Sequence, residues 1–284
     1  MKLSIASGKG GTGKTLVTTS LAASLHARMG EGRIAIADCD VEEPNSYLFF
    51  PDRTLLEKES CQVAVPVIDE EKCTHCGKCS EVCAYHALAV LPGTVLIFPE
   101  LCHGCGACMR LCPSCAISEA DHAVGCLIRS SSGARRLVYG RLNVGEPIAI
   151  PLLKAVKGLL PADRTVIMDC PPGTSCNMIE AVKGSDYVIM VAEPTPFGVH
   201  DLILAADVLD RMDVPHGAVI NKVGIGGVDI AAICAEQGIT VLATMPFRRD
   251  IAQRHAQGQL MLDRPEDRRM FLDLWASVTK EVRR

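Results

Sequence analysis

The stretch that most restricts this chain is Gly8-Lys9-Gly10-Gly11-Thr12-Gly13-Lys14-Thr15. It matches the phosphate-binding pattern G-x-x-x-x-G-K-S/T at every position. The flanks agree with it. Lys2 to Ala6 is a short apolar run that reads as a strand, and Leu16 to Arg28 reads as a helix. Strand, glycine-rich loop and helix in that order form one structural unit. The glycines let successive N–H groups turn inward around a phosphate, and the helix N-terminus adds its partial positive charge. Lys14 is therefore expected at the β- and γ-phosphates, and the Thr15 hydroxyl on Mg²⁺. Gly8, Lys9, Gly10, Gly11, Thr12, Gly13, Lys14, Thr15 and Leu16 form the expected nucleotide-binding run.

Beyond the loop, apolar strands alternate with helical patterns. Strands are expected at 32–38, 165–169, 186–192, 217–221 and 240–245, with helices at 152–160, 200–212, 229–237 and 267–282. That rhythm predicts an α/β doubly wound, mostly parallel sheet. It is interrupted once. Residues 51–64 read as polar and irregular, and a cysteine-dense segment follows, so the expected division is 1–60 and 121–284 for a split ATPase domain, with 61–120 as a small α+β insert. Arg136 to Asn143 reads as a hairpin without an evident role.

The insert carries its own signature. Cys73, Cys76, Cys79 and Cys83 repeat the spacing of Cys102, Cys105, Cys108 and Cys112, and Pro113 follows the second run. This is the bacterial two-cluster ferredoxin pattern, in which the fourth cysteine of each run ligates the other cluster. One 4Fe–4S cluster is thus expected on Cys73, Cys76, Cys79 and Cys112, the other on Cys83, Cys102, Cys105 and Cys108. Cys83 is followed by Ala84 where proline is usual, and proline ligates nothing. Zinc also uses C-x2-C pairs, but not with further cysteines at these spacings. Residues 87–98 read as a hairpin turned at Pro92-Gly93 between the runs. Cys115 and Cys126 read as small buried hydrophobes, and His75 and His103 as hydrogen-bonding neighbours of the clusters.

Composition limits the remaining possibilities. The chain has 284 residues, 15 cysteines and a formal net charge of −4. Nothing resembles the basic stripe of a nucleic-acid binder. No apolar run approaches the roughly 18 residues of a membrane span, and residues 264–284 lack the basic amphipathic pattern of a membrane-binding tail. The N-terminus is a strand rather than a leader. The expectation is a cytoplasmic protein whose cysteines are reduced and bind metal.

Acidic residues stand at strand ends, where open α/β sheets bind ligands. Asp169, before Cys-Pro-Pro-Gly173, suits a Walker B role on Mg²⁺. The Gly173 N–H is a candidate contact for the γ-phosphate, which makes its loop a switch. Asp38 and Asp40 share two roles, Mg²⁺ binding and orientation of the attacking water, and only geometry can assign them. Glu42 and Glu43 read as solvated. Asn221-Lys222 resembles the base-reading pair of GTPases, but Gly224 replaces the aspartate that guanine needs, so adenine is expected.

Lys9 gives the loop a second lysine. With Asp38-Cys-Asp-Val-Glu-Glu-Pro-Asn45, Asp169-Cys-Pro-Pro-Gly-Thr174 and Glu193-Pro-Thr-Pro-Phe-Gly-Val-His-Asp201, it resembles the MinD/Mrp superfamily of P-loop ATPases with deviant Walker A loops, here carrying a ferredoxin insert. The resemblance implies that Lys9 reaches across a dimer to the partner's nucleotide, that Asp40 orients water, and that Pro246 and Phe247 line the base pocket. By the same resemblance Lys9, Lys14, Asp40 and Asp169 are the catalytic set, with Mg²⁺ near Thr15, Asp38, Asp40 and Asp169. Cys39, Cys170 and Cys176 read as small buried side chains, with a bridging cluster of the nitrogenase iron-protein kind at Cys170 and Cys176 as the lesser alternative. The expected activity is slow, partner-stimulated ATP hydrolysis. Its expected partners are an identical or homologous ATPase subunit and a redox or client protein, with neither nucleic acid nor membrane. Coupling of ATP to electron transfer is the leading expectation. The alternative is a cluster carrier or a redox-sensing positioning ATPase.

Overall fold

The computed structural model describes residues 1–30, 32–262 and 264–283. β1 (Lys2–Ala6) leads through the glycine-rich loop into α1 (Lys14–Met29) and then β2 (Ile34–Asp38). β3 (Thr54–Ile68) leaves the body of the protein. A small lobe follows, made of α2 (Lys78–Val82), β4 (Leu88–Leu91), β5 (Thr94–Ile97) and α3 (Ala107–Arg110). The chain returns along β6 (Ile117–Ser132), turns, and runs back as β7 (Arg135–Leu142). Then come α4 (Ile150–Gly158), β8 (Thr165–Asp169), α5 (Cys176–Val182), β9 (Tyr187–Ala192) and α6 (Pro196–Arg211). β10 (His216–Val223), α7 (Ile230–Glu236), β11 (Val241–Pro246), α8 (Arg249–Ala256) and α9 (Pro265–Val282) complete it.

Among the described residues, nine strands form one sheet in the order β11-β10-β9-β1-β8-β2-β7-β6-β3. From β11 to β7 every neighbouring pair is parallel. The parallel strands are apolar on both sides because helices cover both faces. Alternation then assigns each side chain to a layer. Leu3, Ile5, Ile34 and Ile36 enter a core shared with α1 and α9, whereas Ala6, Ala35 and Ala37 enter the opposite core under α4, α5 and α6.

Two expectations from sequence are corrected here. Residues 54–64 are not irregular but lie in β3, which pairs antiparallel with β6 from Thr54↔Ser131 to Ile68↔Ile117. β3 lies at one end of the sheet order and carries Glu57, Lys58 and Glu59. Charges on an edge strand hide the apolar alternation that marks a strand in sequence and discourage edge-to-edge pairing. The segment around Arg136 is indeed one arm of a hairpin, β6–β7, and its role is now evident: β7 also pairs parallel with β2. The β3–β6 ribbon is thus rooted in the main sheet. Boundaries at 60/61 and 120/121 run through its strands, and the cysteine-rich lobe sits on its tip, between Ile68 and Ile117. The β4–β5 hairpin has the expected turn.

Candidate functional site

The C-terminal ends of the parallel strands frame a cleft of ≈ 430 Å³. Gly10, Gly11, Gly13, Lys14, Thr15 and Leu16 form its floor, and Pro246 and Phe247 line it at the end of β11. Gly13 has φ 104, and a Cβ there would collide with the Asn221 amide. Only glycine fits this backbone and this spacing at the start of α1. The Asn221 Nδ2 donates to Thr12 O at 2.7 Å, and Lys222 Nζ donates to Gly11 O at 2.8 Å. The Asn-Lys pair does line the cleft, but its polar groups also brace the glycine-rich loop.

Behind the floor lies a buried carboxylate pair. Asp38 and Asp169 are register partners on β2 and β8. Asp169 Oδ2 accepts from the Thr15 hydroxyl at 2.7 Å and the Ser46 hydroxyl at 3.0 Å. Asp38 accepts backbone N–H bonds from Asp40, Asn45 and Ser46. Both its oxygens are therefore engaged with the loop that follows β2, so Asp38 organises that loop. Burial raises the proton affinity of both carboxyls, and their mutual repulsion adds to it for Asp38. A cation beside Thr15 and Asp169 would offset that repulsion, and these are hard oxygen donors of the kind Mg²⁺ takes. Asp40 lines the cleft itself. Burial and the charge of Asp169 push its carboxyl up to about 6 against the pull of Lys14. The geometry separates the two aspartates: Asp40 faces the cleft and Asp38 supports its loop.

Two switch candidates are held elsewhere. Lys9 forms an ion pair with Glu193 of its own chain, and Glu193 also bonds Lys222 Nζ at 3.0 Å. The Gly173 N–H donates to Ser7 O at 2.9 Å. Lys9 and Gly173 would have to exchange these partners to reach a nucleotide. Glu193 had no assigned role in the sequence, because its partners lie far along the chain. Asn45, Ser46 and Arg248 were likewise unassigned. Arg248 is fastened to Asp250 and Asp267 and anchors the start of α8 beside the cleft. α8 was missed because it is short and holds one large apolar residue, Ile251.

The lobe brings the eight cysteines of the two runs together in crossed quartets. One hollow is lined by Cys73, Cys76, Cys79 and Cys112, together with Ile68 and Ile117 of the ribbon tip. A second is lined by Cys83, Cys102, Cys105 and Cys108, with Ala64, Pro66 and Glu119. Backbone N–H groups point at the sulfurs: Ala87 N lies 3.3 Å from Cys83 Sγ, Gly104 N 3.4 Å from Cys102 Sγ, and Ala116 N 3.3 Å from Cys112 Sγ. Such donors stabilise thiolate charge. All fifteen cysteines are free. Glu70, Cys73 and His75 also bring ligand atoms within 4.8 Å of one another at the rim of the first hollow. His103 stacks on Tyr85 with ring centroids 3.5 Å apart beside the second. Cys115 is exposed with φ 50, contrary to the buried role expected of it, and Cys176 is exposed too. Cys39 and Cys170 are buried as expected. No described helix is long and apolar enough to cross a membrane.

Comparison with known proteins places this architecture. Residues 3–261 match the model of the CobQ/CobB/MinD/ParA nucleotide-binding domain. The protein MJ0578 of Methanocaldococcus jannaschii is 32% identical over 270 residues, covering 93% of this chain and 90% of its own. MJ0579 of the same organism is also 32% identical, over 81% of this chain and 83% of its own. Both relatives are described as uncharacterized. Among solved structures, the septum site-determining protein MinD of Pyrococcus horikoshii, complexed with Mg-ADP, superposes with a TM-score of 0.60 at 18% identity, covering 98% of this chain and 96% of that one. At that identity the superposition speaks for the fold.

Proposed function

The chain belongs to the CobQ/CobB/MinD/ParA nucleotide-binding family, and from that premise we propose that it is an ATP-hydrolysing iron–sulfur protein. In this reading a nucleotide-driven dimer switch is coupled to electron transfer through two 4Fe–4S clusters in a ferredoxin-type insert. The observation that carries it is the crossed grouping of cysteines. Eight thiols from two sequence runs converge as two quartets, each taking its fourth member from the other run. A single-metal site on Glu70, Cys73 and His75 would leave Cys76, Cys79 and Cys112 around the same hollow without a task. Four sulfurs with N–H donors suit a cube of iron and sulfide. The clusters would supply one-electron chemistry when bound; the chain's own residues ligate, shield and tune them.

In the cleft, Lys14 and the loop amides hold the phosphates, Thr15 and Asp169 hold Mg²⁺, and Asp40 orients water. Pro246 and Phe247 bound the base pocket, and adenine is the base. Lys9, once released from Glu193, reaches the nucleotide of a second subunit. That subunit is either a second copy or a homologous chain, and the presence of two such relatives in one organism gives the heterodimer a natural form. Eight ligands within one chain favour relay over release of a cluster as cargo. Exposed ligand thiols such as Cys76 and Cys105 suit a reducing cytoplasm. The test is anaerobic purification with iron and sulfide analysis, electron paramagnetic resonance of the reduced protein, and MgATP turnover. Two clusters together with turnover that Lys14→Ala removes would support the reading. Iron-free protein, or zinc at stoichiometric amounts, would refute its redox half.

A further inference from the structure

The two cysteine quartets are not equivalent with respect to the cleft. The Cys73 quartet touches the ribbon at Ile68 and Ile117, its extreme tip. The Cys83 quartet touches it at Ala64 and Pro66, nearer the root. Four residues of strand separate Ala64 from Ile68, or about 13 Å at the usual rise of a strand. The Cys83 quartet therefore lies between the cleft and the tip.

A continuous set of backbone and side-chain contacts joins that inner quartet to the loop bearing Asp40. Leu142 N donates to Val41 O at 2.9 Å, which fastens the end of β7 to the residue after Asp40. The next residue, Asn143, grips the ribbon twice: its N–H donates to Val124 O at 3.0 Å and its Nδ2 to Ala123 O at 2.7 Å. Glu146 Oε1 lies 2.7 Å from His122 Nε2 and clips the same loop to the ribbon once more. Across the ribbon, His122 is the register partner of Val63. Val63 packs so closely on Gly104 that a Cβ there would lie 2.7 Å from Val63 Cγ1. Gly104 holds φ 62 and donates its N–H to Cys102 Sγ at 3.4 Å. Hydrogen bonds to ligand sulfur are among the levers that set a cluster's reduction potential. The tip quartet is reached only farther along the same ribbon, where the ladder ends at Ile68↔Ile117, Asp69 N donates to Ala116 O at 2.8 Å and Ala116 N donates to Cys112 Sγ at 3.3 Å.

We propose that the inner cluster, on Cys83, Cys102, Cys105 and Cys108, is the one that responds to nucleotide, and that Asn143 is the positioning residue that links it to the Asp40 loop. This inference rests on the presence of both clusters argued above. The tip cluster then exchanges electrons with the outside partner, and its potential is insensitive to ATP. Packed elements with discrete arrangements carry such coupling, and linkage requires the potential shift to equal the difference in MgATP affinity between the two redox states.

The experiment is a redox titration of the anaerobic holoprotein with and without MgATP, with each cluster's spectroscopic signal followed separately. Signals are assigned with Cys76→Ser, which alters the tip cluster, and Cys105→Ser, which alters the inner one. The expected result is a shift confined to the signal that Cys105→Ser alters. A tenfold affinity difference would appear as about 59 mV for a one-electron couple. Asn143→Ala should cut that shift by at least half while iron content and ATP turnover stay within twofold of wild type. His122→Ala is the second probe should Asn143→Ala not yield folded protein. A larger shift at the tip cluster, equal shifts, no shift in either cluster, or an undiminished shift in both variants would overturn the proposal. Iron and sulfide analysis of the same samples separates this failure from failure of the functional reading: protein without two clusters defeats both.

Discussion

In the nucleotide cleft the protein orders its own polar groups. Thr15, Ser46 and Thr18 hydroxyls surround Asp169, three backbone amides hold Asp38, and Lys222 and Asn221 brace the loop from behind. The cysteine-rich lobe orders little beyond the amides that face its sulfurs. Its buried core is Ala87, Leu88, Val95, Cys108 and Ile117, and it has one two-stranded hairpin. A two-stranded hairpin and so small a core are marginal in water. The difference teaches that the two sites depend on their ligands to different degrees. The cleft is braced by its own side chains on a large sheet, whereas the lobe, on the proposed reading, would depend on its clusters to remain folded.

The largest expected effect tests this contrast directly. Removing iron should open residues 69–116 to protease and erase hydrogen-exchange protection in β4 and β5, while β1 and β8 stay protected. Protection of β4 and β5 in iron-free protein would show that the small core suffices. Next in size, Lys14→Ala should lower ATP turnover at least about a hundredfold, the scale of losing one fixed donor to developing charge, with both clusters retained. Loss of the clusters in the same variant would mean that the two regions are not separable. Cys112→Ser should then spoil the cluster of Cys73, Cys76 and Cys79, and spectroscopy showing damage only to the Cys102 cluster would sink the crossed arrangement.

Asp40→Ala should slow hydrolysis by about 10²-fold or more, as expected when a group that positions the reacting proton is removed. Nucleotide binding should persist, measured by fluorescence of a labelled ATP; lost binding would move Asp40 to a Mg²⁺ role. The smallest effect concerns Glu193. Burial works to raise its carboxyl, but the hydrogen bonds from Lys9 and Lys222 outweigh it and hold the group below the usual carboxylate range. A depressed acid adds stability above its unfolded value and loses it as pH falls through the folded value. Acidification in that range should therefore loosen the glycine-rich loop, by no more than about 1 kcal/mol for a partly exposed ion pair. Loop amide exchange that stays flat across the range, or that changes equally in Glu193→Gln, would remove this assignment.

The features legible in the sequence were those whose groups lie close along the chain. Gly8 to Thr15 and each cysteine run need only local spacing, so their chemistry could be read directly. The buried strands around them were found by their apolar runs, and the parallel sheet followed from their alternation with helices. β3 was not found, because its face is half solvated and charged, and its strand character comes from pairing with β6 far along the chain, from Thr54↔Ser131 to Ile68↔Ile117. α8 was missed because it is only eight residues long and Ile251 is its one large apolar side chain.

Residue types and spacing by themselves determined a nucleotide loop, two cysteine runs and an α/β body, since each is encoded within a few residues or in a repeating period. Only the tertiary structure decided that Asp38 supports the loop after β2 while Asp40 faces the cleft, because the amides of Asp40, Asn45 and Ser46 close on the Asp38 carboxylate and leave Asp40 lining the cleft. It alone paired Lys9 with Glu193, since side chains so far apart in sequence meet only through strand order. It also placed one cysteine quartet nearer the cleft than the other, because the length and rooting of the β3–β6 ribbon are properties of long-range pairing.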